Sequence, residues 1–370
     1  MDFPVQPVER PGSLSDEFGI VFEDSDRAGV VTLNRPSRLN ALTREMFDGL
    51  SEYYRRWAAD PHIYGVVMQS AHPSVFSSGG DLKVLQEWVE QGATDSILEF
   101  YRAAYSHVWL LEKFIRPNVP LIDGLLLGGG IGITLYGTHC VAGENFRMAM
   151  PQVGIGFLPD IGGTYFLSRL PARIGLYLAL TGRTMGRADA HWCRLVSHCI
   201  PAAHFSVVKD AIADNHPIDR LLDGLHKDPG EGELVKMIPL IDRIFAADSV
   251  ASILDGLDAE RGEQAAWAKE TATEIRKKSP TSLKVAFRQM QIGRGLDLAA
   301  ALRLEFRLAS NLVTRSDYRE GIAARISGKR REPVWAPAKL NMVNDDLIES
   351  WFSLPVSEEL NLEEDRKSLE

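Results

Sequence analysis

The chain predicts an α/β fold with a helical second half, and three observations carry that prediction. β-Branched runs alternate with helical periodicity up to about residue 200, two of those runs end in glycine-rich turns, and no strand pattern occurs from Pro201 to about Pro333. Gly29-Val30-Val31-Thr32-Leu33 is the first strand, closed by Asn34-Arg35-Pro36. Thr43 is placed to cap a helix running to about Trp57, with Met46, Phe47, Leu50, Tyr53, Tyr54 and Trp57 at three- and four-residue steps. Gly65-Val66-Val67-Met68 is the next strand and leads to the turn Phe76-Ser77-Ser78-Gly79-Gly80-Asp81. Helical segments follow to about Leu111 and stop near Pro117. The strand around Leu121 leads into Gly128-Gly129-Gly130-Ile131-Gly132 and a helix from about Gly130 to Tyr136. Short strands are expected near Cys140 and over 146–148, then helices over 173–180 and 188–195. Beyond them, helices are expected over 207–213, 234–245, 249–257, 263–278, 282–291, 296–311 and 317–326. Residues 214–232, polar and holding Pro217, Pro229 and Gly230, read as a loop. The expected organisation is a loose tail over 1–18, an α/β core over 19–200, a helical region over 201–340 and an acidic end over 341–370, whose last fifteen residues are expected to be solvated.

Composition narrows the function classes. With 370 residues, 45% hydrophobic and 25% charged, the chain builds one large domain, or one plus an appendage, without disulfide or metal support. A net charge of −9 argues against nucleic acid as a partner. Cys140, Cys193 and Cys199 are too few and too irregular for a disulfide framework, and no zinc-ligand spacing is present, so no metal is expected. The three read as buried structural thiols. The first residues lack the apolar stretch of a secretory signal, and no uncharged run approaches the ~20 residues of a membrane span. The expected compartment is therefore the reducing cytoplasm, or the mitochondrial matrix in a eukaryote. Gly-x-Ser-x-Gly is absent, and no Gly-x-Gly-x-x-Gly unit with an acidic partner occurs, which argues against a serine hydrolase elbow and a bound dinucleotide.

The glycine turns carry the chemistry. A strand, a glycine turn and a helix leave backbone N–H groups free at the turn. Two such amides, from Gly80 and Gly129, aimed at one point would stabilise charge developing on a carbonyl oxygen. The bland alternative is that both turns are packing devices.

Taken together, several segments resemble the crotonase (enoyl-CoA hydratase/isomerase) superfamily over roughly residues 20–340. They are Val31-Thr32-Leu33-Asn34-Arg35-Pro36 with Leu39-Asn40-Ala41-Leu42, Phe76 to Lys83, Gly128-Gly129-Gly130, and Met150-Pro151-Gln152 with Gly156. Phe157 to Leu167, Leu180-Thr181-Gly182, Ser279 to Lys284, Glu305-Phe306-Arg307-Leu308, Arg319 to Ile322 and Arg331 to Pro337 are similar to the 3-hydroxyisobutyryl-CoA hydrolase branch. The resemblance implies a spiral of repeated β-β-α units covered by C-terminal helices. It also implies an acyl-CoA thioester substrate whose oxygen sits between the amides of Gly80 and Gly129. No cofactor is then required, since CoA arrives with the substrate. Gly79, Asp81, Leu82, Lys83, Ala104, Gly128 and Gly130 are the accompanying substrate-binding candidates. Relatives of this kind commonly form trimers or hexamers, so a homo-oligomer and a monomer both stay open.

The chain departs from the pattern at three places. The hydrolase branch has a catalytic Glu where Gln152 stands, and an amide cannot accept a proton at neutral pH. The second hydratase carboxylate would fall at Gly132, and an acidic residue in the helix after the first glycine turn would fall at Ala104. Asp160, eight residues after Gln152, survives as the acid/base candidate, with a helix N-cap as its alternative reading. Gln152 would hold water or a substrate hydroxyl. Lys83 and Arg38 either meet CoA phosphates or are simply solvated. Three functions follow: thioester hydrolysis as in valine breakdown, an isomerase- or hydratase-type reaction using Asp160 alone, or acyl-CoA binding with little turnover.

Overall fold

The computed structural model describes residues 18–327, 331–353 and 359–362. The loose tail expected over 1–18 lies outside them except for Phe18, as do Lys329, Arg330 and the acidic residues from 363 onward.

Strands from the first half alternate between two sheets. The first holds β1 (Ile20–Ser25), β2 (Ala28–Leu33), β3 (Gly65–Ser70), β5 (Asn118–Ile122), β7 (Val141–Ala142) and β10 (His198–Cys199), in that spatial order. The second holds β4 (Val75–Ser77), β6 (Leu125–Leu127), β8 (Arg147–Ala149) and β9 (Met185–Gly186). All neighbours are parallel except the β1/β2 and β8/β9 pairs. From β3 to β8 each turn of the chain thus lays one strand in each sheet and returns through helical chain, which is the β-β-α spiral. β1 and β2 form a hairpin, whereas β8 and β9, though antiparallel, are separated by two α-helices, and the parallel neighbours need a crossover between them.

The crossovers are α1 (Arg44–Ala59), α2 (Leu82–Gln91), α3 (Thr94–Lys113) and the single turn α4 (Gly129–Gly132). Thr43 caps α1 by accepting from the Met46 amide, as its type and position predict. The apolar stripe of α1 packs on α3 and β1, with Phe22 stacked on Tyr53 at 4.1 Å between ring centroids. After the spiral come α5 (Gly163–Arg169), α6 (Ile174–Thr181) and α7 (Arg187–Trp192). The helical region holds α8 (Phe205–Ala213), α9 (Ile218–Leu225), α10 (Glu233–Ile244), α11 (Val250–Ala259), α12 (Ala265–Arg276), α13 (Pro280–Ile292), α14 (Leu298–Leu312), α15 (Ser316–Ile326) and α16 (Asp345–Ser353).

Four expectations change. The helix expected over 130–136 is only α4, because a turn with three consecutive glycines does not propagate. The polar stretch 214–232 contains α9, whose Ile218 and Leu222 bury against Val67, Val119 and Val141 on the outer face of the first sheet. The strand β1 also escapes notice, because Glu23, Asp24 and Ser25 dilute its alternation while Ile20 and Phe22 supply the buried face. The last fifteen residues, expected to be solvated, bury Leu360 and Leu362 among those described, and just before them α16 buries Ile348 and Trp351. Among the described residues no helix is long and apolar enough to cross a membrane.

Candidate active site

A cavity of about 570 Å³ opens between the two glycine turns, α3, the turn around Gln152 and the end of α15. Its lining includes Gly79, Gly80, Asp81, Leu82, Lys83, Ala104, Gly128, Gly129, Gln152 and Asp160. Gly130 is the exception: it does not line the cavity, and a side chain there would press into Ser77 at 2.8 Å, so it serves packing.

The first glycine turn is built by its neighbours. Leu42 bridges to Gly80 by donating to the Gly79 carbonyl and accepting from the Asp81 amide. In extended chain, groups flanking a residue point to one side and its own amide to the other, so the Gly80 N–H faces away from Leu42. Gly129 opens α4, where the first amides have no partner within the helix. Among the described residues neither amide donates to a protein acceptor. The two turns touch: a Cβ built on Gly129 would lie 3.4 Å from the Gly80 nitrogen, and one on Gly79 would lie 3.3 Å from the Gly129 nitrogen. Gly128 has φ of 43°, a conformation that glycine adopts without steric cost, and a Cβ there would meet the Gln152 amide at 3.3 Å.

Asp81 does not offer its side chain to a ligand. One oxygen accepts from the amides of Lys83 and Val84 and caps α2, and the other pairs with Arg35 at 2.8 Å. Arg35 also donates to the Ala41 carbonyl, so the pair ties the turn to the end of β2. The Asp81 side chain thus builds the turn, as a carboxylate that closes a glycine loop is expected to, while the residue lines the cavity.

Asp160 is buried and held by two donors, the Tyr105 hydroxyl at 3.0 Å and the Gln152 amide nitrogen at 2.9 Å. Burial pushes its carboxyl up to about 7, against the lowering effect of those two hydrogen bonds. It is not a helix cap: the N-cap of α5 is Gly162, and the free amides of Gly162 and Thr164 are taken by Glu305 of α14, each at 2.7 Å. Glu305 is itself buried and pushed up to about 8, by burial first and by the nearby Asp160 second. The other oxygen-bearing end of Gln152, Oε1, is buried without a hydrogen-bond partner among the described residues. A buried acceptor left unpaired costs about 1–3 kcal/mol, so Oε1 is available to a donor that enters the cavity.

The turn carrying Asp160 is strained. Ile161 has φ of 58°, in the left-handed region that a β-branched residue avoids, at a cost of about 1–3 kcal/mol. The conformation drives its side chain into the space beside Gly132, where a Cβ would stand 1.8 Å from Ile161 Cγ2. The position at which a hydratase-type carboxylate would fall is thus filled by an isoleucine methyl.

Sequence reasoning missed several groups here. Tyr105 lies one turn after Tyr101 on the inner face of α3, a spacing that was available to find it. Glu305, Lys278 and Arg325 come from the helical region, and only folding brings them near; Lys278 and Arg325 join Arg38 and Lys83 on the cavity lining. Burial of Lys278 lowers its ammonium, offset in part by Glu274. His107 is buried, with Nδ1 3.1 Å from the Ser51 hydroxyl and its ring pushed down to about 3 by burial, so it stays neutral. Burial pushes the Cys140 thiol up to about 12, which removes it as a nucleophile.

Comparison with known proteins agrees with the architecture. The family model described as enoyl-CoA hydratase/isomerase matches residues 28–352. The mitochondrial 3-hydroxyisobutyryl-CoA hydrolase of Danio rerio is 34% identical over 346 residues, covering 90% of this chain and 89% of the relative. The small ribosomal subunit protein mS47 of Arabidopsis thaliana is 32% identical over 350 residues, covering 92% and 85%. The crystal structure of a carnitinyl-CoA dehydratase from Mycobacterium thermoresistibile superposes with a TM-score of 0.87 at 31% identity, covering 93% of this chain and 99% of that one. Relatives this similar carry the names of a hydrolase, a ribosomal protein and a dehydratase, so activity has to be argued from the site.

Proposed function

The chain belongs to the enoyl-CoA hydratase/isomerase family, and on that premise we propose that it hydrolyses the thioester of an acyl-CoA bearing a hydroxyl on its acyl group. The observation that carries this reading is the convergence on one cavity of two unpartnered backbone amides and a buried carboxyl whose pKa lies near neutrality. The thioester oxygen would take the Gly80 and Gly129 amides. Asp160 would accept a proton from water as the water oxygen attacks the carbonyl carbon. The amides would hold the resulting oxyanion until the C–S bond breaks, and Asp160 would return its proton to the departing thiolate, giving the free acid and CoA. A donor pair of this kind typically contributes ~10²–10³ in rate per donor, and a general base ~10²–10⁴.

Gln152 fits as a binding group. Its nitrogen fixes Asp160, and its unpaired oxygen suits a hydroxyl on the substrate. The name of the Danio rerio relative supports 3-hydroxyisobutyryl-CoA as the compound to test first. On the cavity lining, Arg38, Lys83, Lys278 and Arg325 are cations suited to the CoA phosphates.

The test is release of free thiol from 3-hydroxyisobutyryl-CoA, followed with a thiol-reactive dye, by the parent and by Asp160→Asn. The expected result is turnover by the parent and a loss of at least a hundredfold in the variant. The dehydratase neighbour favours a second reading, in which the same carboxylate removes water from the acyl chain. Enoyl absorbance without thiol release would establish it and overturn hydrolysis.

A further inference from the structure

The turn after Pro159 is fastened from every side by buried polar groups of elements far away in sequence. Tyr105 on α3 and Gln152 hold the Asp160 carboxyl, and Tyr136 donates to the Ile161 carbonyl at 3.1 Å. Gln289 on α13 donates to the Pro159 carbonyl at 3.1 Å and to the Thr164 hydroxyl at 2.7 Å. Glu305 on α14 takes the amides of Gly162 and Thr164, one oxygen to each. The helix α5 that these groups anchor packs between α13 and α14. Between the anchors lies Ile161, held at a positive φ that its side chain disfavours. A backbone conformation of this kind persists only where the surroundings over-determine it.

We propose that Glu305 is a positioning residue for the reaction: from α14 it clamps the strained turn at Ile161 and Gly162, and so keeps the Asp160 carboxyl on the cavity and out of water. The role rests on the reading of Asp160 as the acid/base group, but the clamp itself does not. A carboxyl is suited to the task because two neighbouring amides need two acceptor atoms in a fixed fork, whereas a side-chain amide offers a single acceptor oxygen. Gln289 completes the clamp from the adjacent helix. The titratable groups facing Asp160 are Tyr101 and Tyr105 on α3, Tyr136, Tyr318 on α15 and Glu305, none of them a cation. The tyrosines stay neutral because burial raises them all, and Glu305, pushed up to about 8, is still protonated where Asp160 titrates, so burial sets the Asp160 carboxyl.

The experiment uses the full chain with Glu305→Gln and, independently, Gln289→Leu. The Asp160 carboxyl is titrated without substrate by carbon NMR of protein labelled at aspartate, with Asp160→Asn assigning its signal. Thiol release is measured in parallel, and cooperative thermal melting identifies folded protein. Loosening the clamp admits water to the carboxyl, which favours its ionised form and lowers its midpoint. In Glu305→Gln the Asp160 midpoint is expected to fall by at least one pH unit. The value of kcat is expected to fall at least tenfold, with KM changed less than threefold. Gln289→Leu is expected to lower the midpoint by a smaller amount; if Glu305→Gln does not fold, this variant decides. A folded variant with an unmoved midpoint and kcat within twofold of the parent overturns the proposal and leaves Glu305 a packing residue. Parent-like turnover in Asp160→Asn would instead end the acid/base reading, and the substrate-free titration would still decide whether Glu305 holds the carboxyl.

Discussion

At residue 152 a single change of atom type redistributes the chemistry of the cavity. A carboxylate there would stand within hydrogen-bonding reach of Asp160, where the Gln152 nitrogen now lies 2.9 Å from Oδ1. Two buried carboxyls so close cannot both ionise, and they titrate as a pair. The amide removes that conflict and, on the proposed mechanism, leaves Asp160 to carry the proton, with its carboxyl near neutrality. We expect Gln152→Glu to raise thiol release by at least tenfold and to add a second ionisation to the pH–rate profile, read from kcat between pH 5 and 9. A fall in activity would mean that the amide is adapted to its own substrate. The candidates Gln152, Asp160, Gly80 and Gly129 were legible because each belongs to a short local pattern. Tyr105 and Glu305 were not, since a buried tyrosine or glutamate in an amphipathic helix carries no local mark of what it touches.

The elements matter because each active group is delivered by a junction between two of them. Asp81 closes the first glycine turn by capping α2, and Gly129 exposes its amide because it opens α4. The junction before α5 is the most constrained, since Ile161 occupies the volume that any side chain at Gly132 would need. Gly132→Ala therefore forces Ile161 and its turn to move. We expect a loss of about 1–3 kcal/mol in stability, measured by urea denaturation, together with a drop in kcat larger than the change in KM. Parent-like stability would show that Ile161 has another rotamer open to it. Restoring a hydratase-type glutamate at this position is expected to fail for the same steric reason.

Across the whole molecule, the buried ionisable groups set how stability follows pH. Asp160 rises from 3.8 to about 7 and Glu305 from 4.5 to about 8, whereas His107 falls from 6.5 to about 3. A carboxyl with a raised folded pKa contributes stability that is present below its unfolded value and is lost as pH climbs through the folded one. Below its unfolded value, His107 acts in the opposite direction, because the unfolded chain then binds the extra proton. These groups together favour the mildly acidic range and weaken the fold towards pH 8. Asp160→Asn is accordingly expected to melt higher than the parent at pH 8, by on the order of a few kcal/mol, with the gain gone by pH 4. A gain that does not vary with pH, or no gain at all, would contradict the burial of a charged carboxylate there. The α/β spiral, the two glycine turns and most of the helices were readable from the chain alone, because local periodicity and turn chemistry act over a few residues. Folding alone supplied α9 and the packed end at α16, since mixed polar segments become helical when a few apolar side chains find a distant surface. It also supplied the cage around Asp160: Glu305 stands 143 and 141 positions beyond the Gly162 and Thr164 amides that donate to it, and such hydrogen bonds exist only once the helical region has docked on the spiral.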